Sequence, residues 1–271
     1  MSAPGAFKAM LGGSDIVLLT FDTLRYDVAQ QCWQAGLLPH LSPMLGAQGW
    51  QKRHTPASFT YAAHHAFFSG FLPTPADPHV SQNRLFASRF GGSRTCDAHT
   101  FVFDEATLPQ ALQARGYHTL CIGGTGFFNS ATAMGQVLPG MFMESHWSPA
   151  LGVTQKRAPQ RQVSLALRRL QEVRQPMFLF INLSAMHPPH HFYLPGCTRD
   201  SIQSQAAALQ YTDAALAPLW PALRARGGAY CILCSDHGHA FGEDGWHGHR
   251  LGHASVWDVP YAEFALVPEA A

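Results

Sequence analysis

Four short apolar runs punctuate the chain: Asp15–Phe21, His118–Ile122, Met177–Leu183 and Ala229–Cys234. None alternates apolar with polar positions, so each predicts a strand buried on both faces, as in a parallel sheet covered by helices. Helical segments precede three of them. These are 107–115, stopped by Gly116; 164–174; and 201–226, which ends at Gly227 and Gly228. Pro218 and Pro221 are expected to break or kink the last. A final run, 261–267, predicts an edge strand. The alternation of helix and strand predicts an α/β fold, a three-layer αβα sandwich around a mostly parallel central sheet. Segments 74–106 and 126–161 have weak periodicity and many Gly, Pro and Ser. They read as loops or lids.

Composition narrows the class. The 271 residues are 46% hydrophobic and 13% charged, too apolar for a disordered chain. One domain over 1–271 accommodates this length. No stretch approaches the ~18 consecutive apolar residues of a membrane span, so no membrane association is expected. No basic segment followed by an apolar stretch opens the chain, and the expected compartment is cytoplasmic. A net charge of +1 argues against a nucleic-acid partner. Cys231 and Cys234 are spaced like half a zinc site, but residues three apart on a strand face opposite sides. They read as buried thiols. Composition leaves the oligomeric state open.

Histidine is the outlier. His237, His239, His247, His249 and His253 fall within seventeen residues, and His187, His190 and His191 within another five. Imidazole is a frequent metal ligand and titrates near neutrality. Ligands bind at the carboxyl ends of strands in open α/β sheets. Asp22 and Thr23 follow the first strand, His187 follows the third, and Ser235-Asp236-His237-Gly238 closes the fourth. Asp22 is either a helix cap or a metal ligand. Thr60, at the start of a short helical run, is an N-cap, a nucleophilic hydroxyl, or both. Asp236 and His237 offer one hard oxygen and one imidazole nitrogen, a donor set suited to zinc or manganese. Gly238 is expected to allow a sharp turn beside them.

These pieces resemble the alkaline phosphatase/sulfatase superfamily of metal-dependent hydrolases, and most of all its small bacterial sulfatase-like metalloenzyme-domain members. The matching stretches are Asp22-Thr-Leu-Arg-Tyr-Asp27, Thr60 to Ser69-Gly70-Phe-Leu-Pro73, and Thr107-Leu-Pro with Gly116-Tyr-His-Thr119 and Ile122-Gly123. His187-Pro188, Ser235-Asp-His-Gly238, Gly242-Glu243, Gly248-His249 and Val259-Pro260 complete the series, in the family's order. The resemblance implies that Asp22, Asp236, His237 and the Thr60 oxygen bind a divalent ion, and that Thr60 is the nucleophile. It puts His64 and His253 against substrate, and His187 and His249 on a second metal, on the transferred group or on the leaving group. One or two ions are implied, with zinc first and manganese, magnesium or calcium as the other candidates. Arg25 and Asp27 are expected to pair structurally, with Asn182 and Glu243 supporting the ligands.

Two departures bear on the reaction. The stretch Thr60-Tyr-Ala-Ala-His64 has no Cys for conversion to formylglycine, and the family's Gly-Lys-x-His is replaced by Gly123-Gly124-Thr125-Gly126. Both disfavour sulfate esters. A threonine ester must be attacked at its central atom, which suits phosphorus. The reading is a hydrolase of small anionic phosphate or phosphonate esters, with sulfate esters behind them. Transfer to an acceptor alcohol, or a metal-binding partner protein without turnover, are the rivals.

Overall fold

The computed structural model describes residues 10–70 and 105–268, with Gly5 and the paired dipeptides Phe86–Ala87 and Phe101–Val102. Most of segment 74–106, and the Phe71–Pro73 part of the second matching stretch, lie outside the described residues.

The main sheet contains β1 (Asp15–Phe21), β2 (Gln51–His54), β3 (His118–Ile122), β4 (Glu144–His146), β5 (Met177–Leu183), β6 (Ala229–Cys234) and β7 (Asp258–Leu266). Their order across the sheet is β2-β7-β6-β1-β5-β3-β4. The five strands from β6 to β4 run parallel, and β7 is antiparallel to both neighbours. The four apolar runs are strands at the expected bounds. The helices are α1 (Tyr26–Gln34), α2 (Ser42–Leu45), α3 (Thr60–Ser69), α4 (Leu108–Gln113), α5 (Ala158–Glu172), α6 (Ile202–Leu216), α7 (Leu219–Ala225) and α8 (Ala254–Trp257).

Strand alternation divides the core in two. Val17, Leu19 and Phe21 of β1 pack with apolar faces of α1, α5, α6 and α7 on one side. Ile16 and Leu18 pack on the other with Phe68 of α3 and Leu112 of α4. Cys231 belongs to the first cluster and Cys234 to the second, as a strand pair three apart must. The second cluster is aromatic: the Phe180 ring centroid lies 5.1 Å from Phe68, 5.6 Å from Phe128 and 5.8 Å from Phe142. Phe180→Ala is expected to cost about 3–5 kcal/mol of folding stability, because the rigid sheet cannot close the cavity. Urea unfolding measures it, and a loss under ~1 kcal/mol would place Phe180 outside the core.

Three expectations need correction. The last strand is not an edge: β7 lies between β6 and β2. The edge is β2, Gln-Lys-Arg-His, exposed throughout and too polar to read as a strand. Charge on such an edge discourages pairing with other chains. Helix α5 begins at Ala158 rather than 164, with Pro159 in its first turn, where a missing N–H costs nothing. The 201–226 helix breaks at Pro218 as expected, but Pro221 is accommodated in the first turn of α7.

Candidate active site and metal centre

The parallel strands all end on one side of the sheet, and their ends carry the candidate chemistry. After β1 the chain turns through Asp22 and Thr23. Thr23 has φ 61°, a left-handed conformation that is strained for a β-branched residue. Three hydrogen bonds hold it there. Its N–H donates to Asp236 Oδ1 (3.1 Å), its hydroxyl donates to Met186 O (2.7 Å), and its carbonyl accepts from Gln205 Nε2 (3.0 Å). The strained turn thus ties the end of β1 to the Asp236 carboxylate. The N-cap of α1 is Arg25, so Asp22 is not a helix cap.

Asp22, Asp236 and His237 are fully buried, and one ligand atom of each lies within 4.8 Å of the others. Asp22 Oδ2 accepts from Asn182 Nδ2 at 2.9 Å, but Asp22 Oδ1 has no hydrogen-bond partner among the described residues. Asp236 Oδ1 accepts from two backbone N–H groups, but Asp236 Oδ2 has no hydrogen-bond partner among the described residues. Burial, then the other carboxylate, raises the Asp22 pKa from 3.8 to about 6; burial raises that of Asp236 from 3.8 to about 7. His237 Nδ1 is 2.9 Å from Gly238 O. A carbonyl only accepts, so Nδ1 carries the proton and Nε2 presents a lone pair. That Nε2 lies 3.5 Å from Asp236 Oδ2 and 3.3 Å from Thr60 Oγ1. Two orphaned carboxylate oxygens facing an imidazole lone pair are costly unless a cation joins them. The donor set fits a divalent metal ion.

Thr60 is the first residue of α3 rather than its N-cap, which is Phe59, and its hydroxyl caps nothing. The positive end of the ten-residue helix therefore faces whatever the hydroxyl meets. His64, one turn on, is buried beneath it. Its Nδ1–H donates to Thr60 O (2.8 Å), and its Nε2 accepts from Thr20 Oγ1 (2.9 Å). Thr20 in turn lies 3.3 Å from Asn182 Nδ2. One hydrogen-bonded chain thus links the residue that orients Asp22 to the backbone of Thr60. Both ring nitrogens of His64 are engaged inside the protein, under Phe67, Phe128 and Phe180. The expectation that His64 contacts substrate is corrected: it positions α3. Burial lowers its pKa to about 3, keeping it neutral.

His253 also departs from expectation. It is the N-cap of α8; its ring accepts from Ser255 N–H (3.1 Å) and lies 3.1 Å from Asp244. These bonds occupy both of its ring nitrogens, which leaves neither free for a substrate group. Gly238 is required for close approach rather than a positive φ, because a Cβ there would lie 2.0 Å from Ser255 O. His190 is fully buried, with Nδ1 2.9 Å from Ser204 Oγ.

A pocket of about 360 Å³ opens above Thr60, with His187, His249 and Arg250 on its wall. His187 Nδ1 is 2.6 Å from Pro188 O, a carbonyl that can only accept, so Nδ1 donates there. The His249 ring stacks obliquely 4.6 Å from that of His237 and, through burial first, its pKa falls to about 3. The expected pairing of Arg25 with Asp27 is present at 2.7 Å, and Glu243 caps the same guanidinium. That network anchors the loop bearing His239, whose Nδ1 lies 3.5 Å from His249 Nδ1. Among the described residues no helix is long and apolar enough to cross a membrane.

A sequence-family profile described as Sulfatase matches residues 14–263. The chain belongs to the Sulfatase family. No curated protein matches it in a sequence search. Solved structures with the same fold include the C-terminal periplasmic domain of phosphoethanolamine transferase EptC from Campylobacter jejuni. It is 12% identical, with TM-score 0.65 over 93% of this chain and 79% of that one. The corresponding EptC domain from Escherichia coli, in complex with Zn, is 11% identical at TM-score 0.65 over 94% and 74%. A protein in the alkaline phosphatase superfamily from Vibrio parahaemolyticus is 17% identical at TM-score 0.58 over 94% and 61%. The sheet is thus an alkaline phosphatase-like one, and the Sulfatase family belongs with enzymes acting on phosphate or sulfate esters. Within this family member, sequence reasoning missed Thr20, Thr125 and Arg250. Thr20 reads as an ordinary strand residue, and Thr125 is hidden in a glycine-rich stretch. Arg250 was detectable as the basic residue beside His249.

Proposed function

We propose that this chain hydrolyses phosphate or phosphonate esters with a divalent cation, through a covalent intermediate on Thr60. The observation that carries the reading is the Thr60 hydroxyl at a helix N-terminus, 3.3 Å from His237 Nε2 and beside two carboxylates with orphaned oxygens. Asp22, Asp236, His237 and the Thr60 oxygen would hold the ion, with zinc the first candidate. Bound there, it would supply charge that lowers the hydroxyl pKa and stabilises the transition state.

Thr60 Oγ1 attacks phosphorus in line, forming the Thr60–O–P bond as the ester P–O bond breaks. His187, with its proton on Nδ1, has Nε2 open to take the Thr60 proton. His187 then returns that proton to the departing alkoxide, while His249, held neutral, faces the same pocket. The N–H groups opening α3 face the oxygens of the transferred group. Water then attacks the phosphothreonine and restores the hydroxyl. Gly124 has no room for a side chain, as a Cβ would lie 2.3 Å from Asn182 O, which disfavours sulfate contacts of the usual kind.

Transfer to an acceptor alcohol is the second reading, favoured by solved neighbours described as phosphoethanolamine transferases. Purified protein loaded with zinc, manganese or magnesium should be offered aryl phosphates, phosphodiesters, phosphonates and sulfates, with and without added alcohols. The expected result is release from phosphorus esters and a mass adduct on the peptide containing Thr60. Label appearing on the alcohol would favour transfer. Turnover of sulfates alone, or metal binding without turnover of any ester, would overturn the reading.

A further inference from the structure

The outer face of α5 carries charge that a helix disfavours at that end. Residues 156–174 hold six of the chain's 18 Lys and Arg side chains and one acidic residue, Glu172. Arg157 is the N-cap of α5 and makes no side-chain capping bond. Arg161 is the fourth residue of the helix, and the first turn has no acidic residue. Cations belong at a helix C-terminus, where they meet the negative end of the dipole. Arg157 and Arg161 are also four residues apart, a spacing at which like charges repel. Natural sequences concentrate such conflicts at functional sites.

Arg157, Arg161, Ser164 and Arg168 are spaced i, i+4, i+7 and i+11, so they form one stripe about 16 Å long. All four are exposed. Val163, Ala166 and Leu170 turn the opposite side of the helix into the first core cluster. That layer lies across the sheet from Phe68 of α3 and Leu112 of α4. The stripe lines a concavity of about 430 Å³, with Gln160 and Leu165, and shares no lining residue with the Thr60 pocket. Arg161 is oriented there, because its Nη1 donates to Ala150 O at 3.0 Å. Glu172 pairs with Arg169, which also reaches Glu144. None of the three stripe arginines forms an ion pair among the described residues.

We propose that Arg157, Arg161, Ser164 and Arg168 form a binding site for a phosphate-bearing anion of two or more charges, separate from the centre at Thr60. A guanidinium fork takes two phosphate oxygens at once, and Ser164 adds a hydroxyl between Arg161 and Arg168. The anion offsets the repulsion along the stripe and the cations at the helix N-terminus together. The site does not depend on the reaction at Thr60. Its phosphate can belong to a soluble oligophosphate or to a lipid headgroup.

Calorimetry with inorganic pyrophosphate tests it on the full chain stripped of metal, so that no phosphate binds through an ion beside Thr60. In about 150 mM chloride, which screens diffuse attraction, one equivalent should bind with Kd below about 100 μM. Arg157→Gln and Arg168→Gln should each weaken binding at least about tenfold. Arg174→Gln, beyond the stripe, should change it by less than about threefold. Without ligand, Arg157→Gln should melt at or above the wild type, and about 1 mM pyrophosphate should raise the melting temperature of the wild type alone. Sedimentation with phosphatidylglycerol vesicles reads the lipid source: capture lost in the same two variants assigns a headgroup, and pyrophosphate binding without capture assigns a soluble anion. Binding of neither probe, an equal loss in Arg174→Gln, or a lower melting temperature in ligand-free Arg157→Gln would overturn the site.

Discussion

Thr60→Ala is expected to lower kcat/KM on any ester the protein turns over by at least about 10³-fold, or about 4 kcal/mol of transition-state stabilisation. The loss should fall on kcat, because the removed oxygen forms a bond to phosphorus rather than merely contacting the bound ester. The variant should fold normally. Thr60 makes no capping bond, and among the described residues its hydroxyl's hydrogen-bond partner is His237. Metal content should persist through Asp22, Asp236 and His237, and the covalent adduct should vanish. An unchanged rate in Thr60→Ala would remove the nucleophile assignment. A parallel fall in rate, metal content and melting temperature would instead make Thr60 a structural residue. Thr60→Ser keeps an oxygen at the same place and should retain much of the activity.

The legible part of this molecule is what strand burial and strand order write into the sequence. β1, β3, β5 and β6 are buried on both faces, so their apolar runs leave no competing reading. Parallel order then brings Asp22, His187 and Asp236-His237 to one rim. β2 was illegible because an exposed edge strand needs no apolar residue, and its four side chains are all outside. β4 is three residues long and entirely polar, Glu-Ser-His, so no apolar run marks it as a strand. Among site residues the failures share one cause. His64 and His253 fit a substrate-contacting role by position in the chain. What decides their part is which neighbours saturate their rings: Thr60 O and Thr20 for one, Ser255 and Asp244 for the other. Those partners are set by tertiary packing, which a single sequence does not spell out. The Thr125 hydroxyl, buried without a hydrogen-bond partner among the described residues, is illegible for the same reason.

Asp236→Asn should have opposite effects on the metal-free and metal-loaded protein. Burial raises the folded-state pKa of Asp236 to about 7, far above an unfolded value of about 3.9. Below the unfolded value both states are protonated, and the carboxyl carries no ionisation penalty. As the pH rises toward 7 the unfolded chain releases the proton while the folded chain must keep it or bury a charge, so stability is progressively lost. At pH 8 the metal-free fold holds two ionised carboxylates with orphaned oxygens. Asparagine removes one of those charges, and its amide oxygen can still accept from Thr23 N–H and His237 N–H. Metal-free Asp236→Asn is therefore expected to melt above the wild type at pH 8, with the gap closing by pH 4.5. A divalent ion present at ~100 times its Kd should stabilise the wild type by about 2.7 kcal/mol. The variant should lose nearly all of that gain, with affinity at least about 100-fold weaker. Calorimetric scans with and without zinc read both effects. A wild type insensitive to every divalent cation, with the variant no more stable than it at pH 8, would mean that the two carboxylates hold no metal and bear no mutual strain.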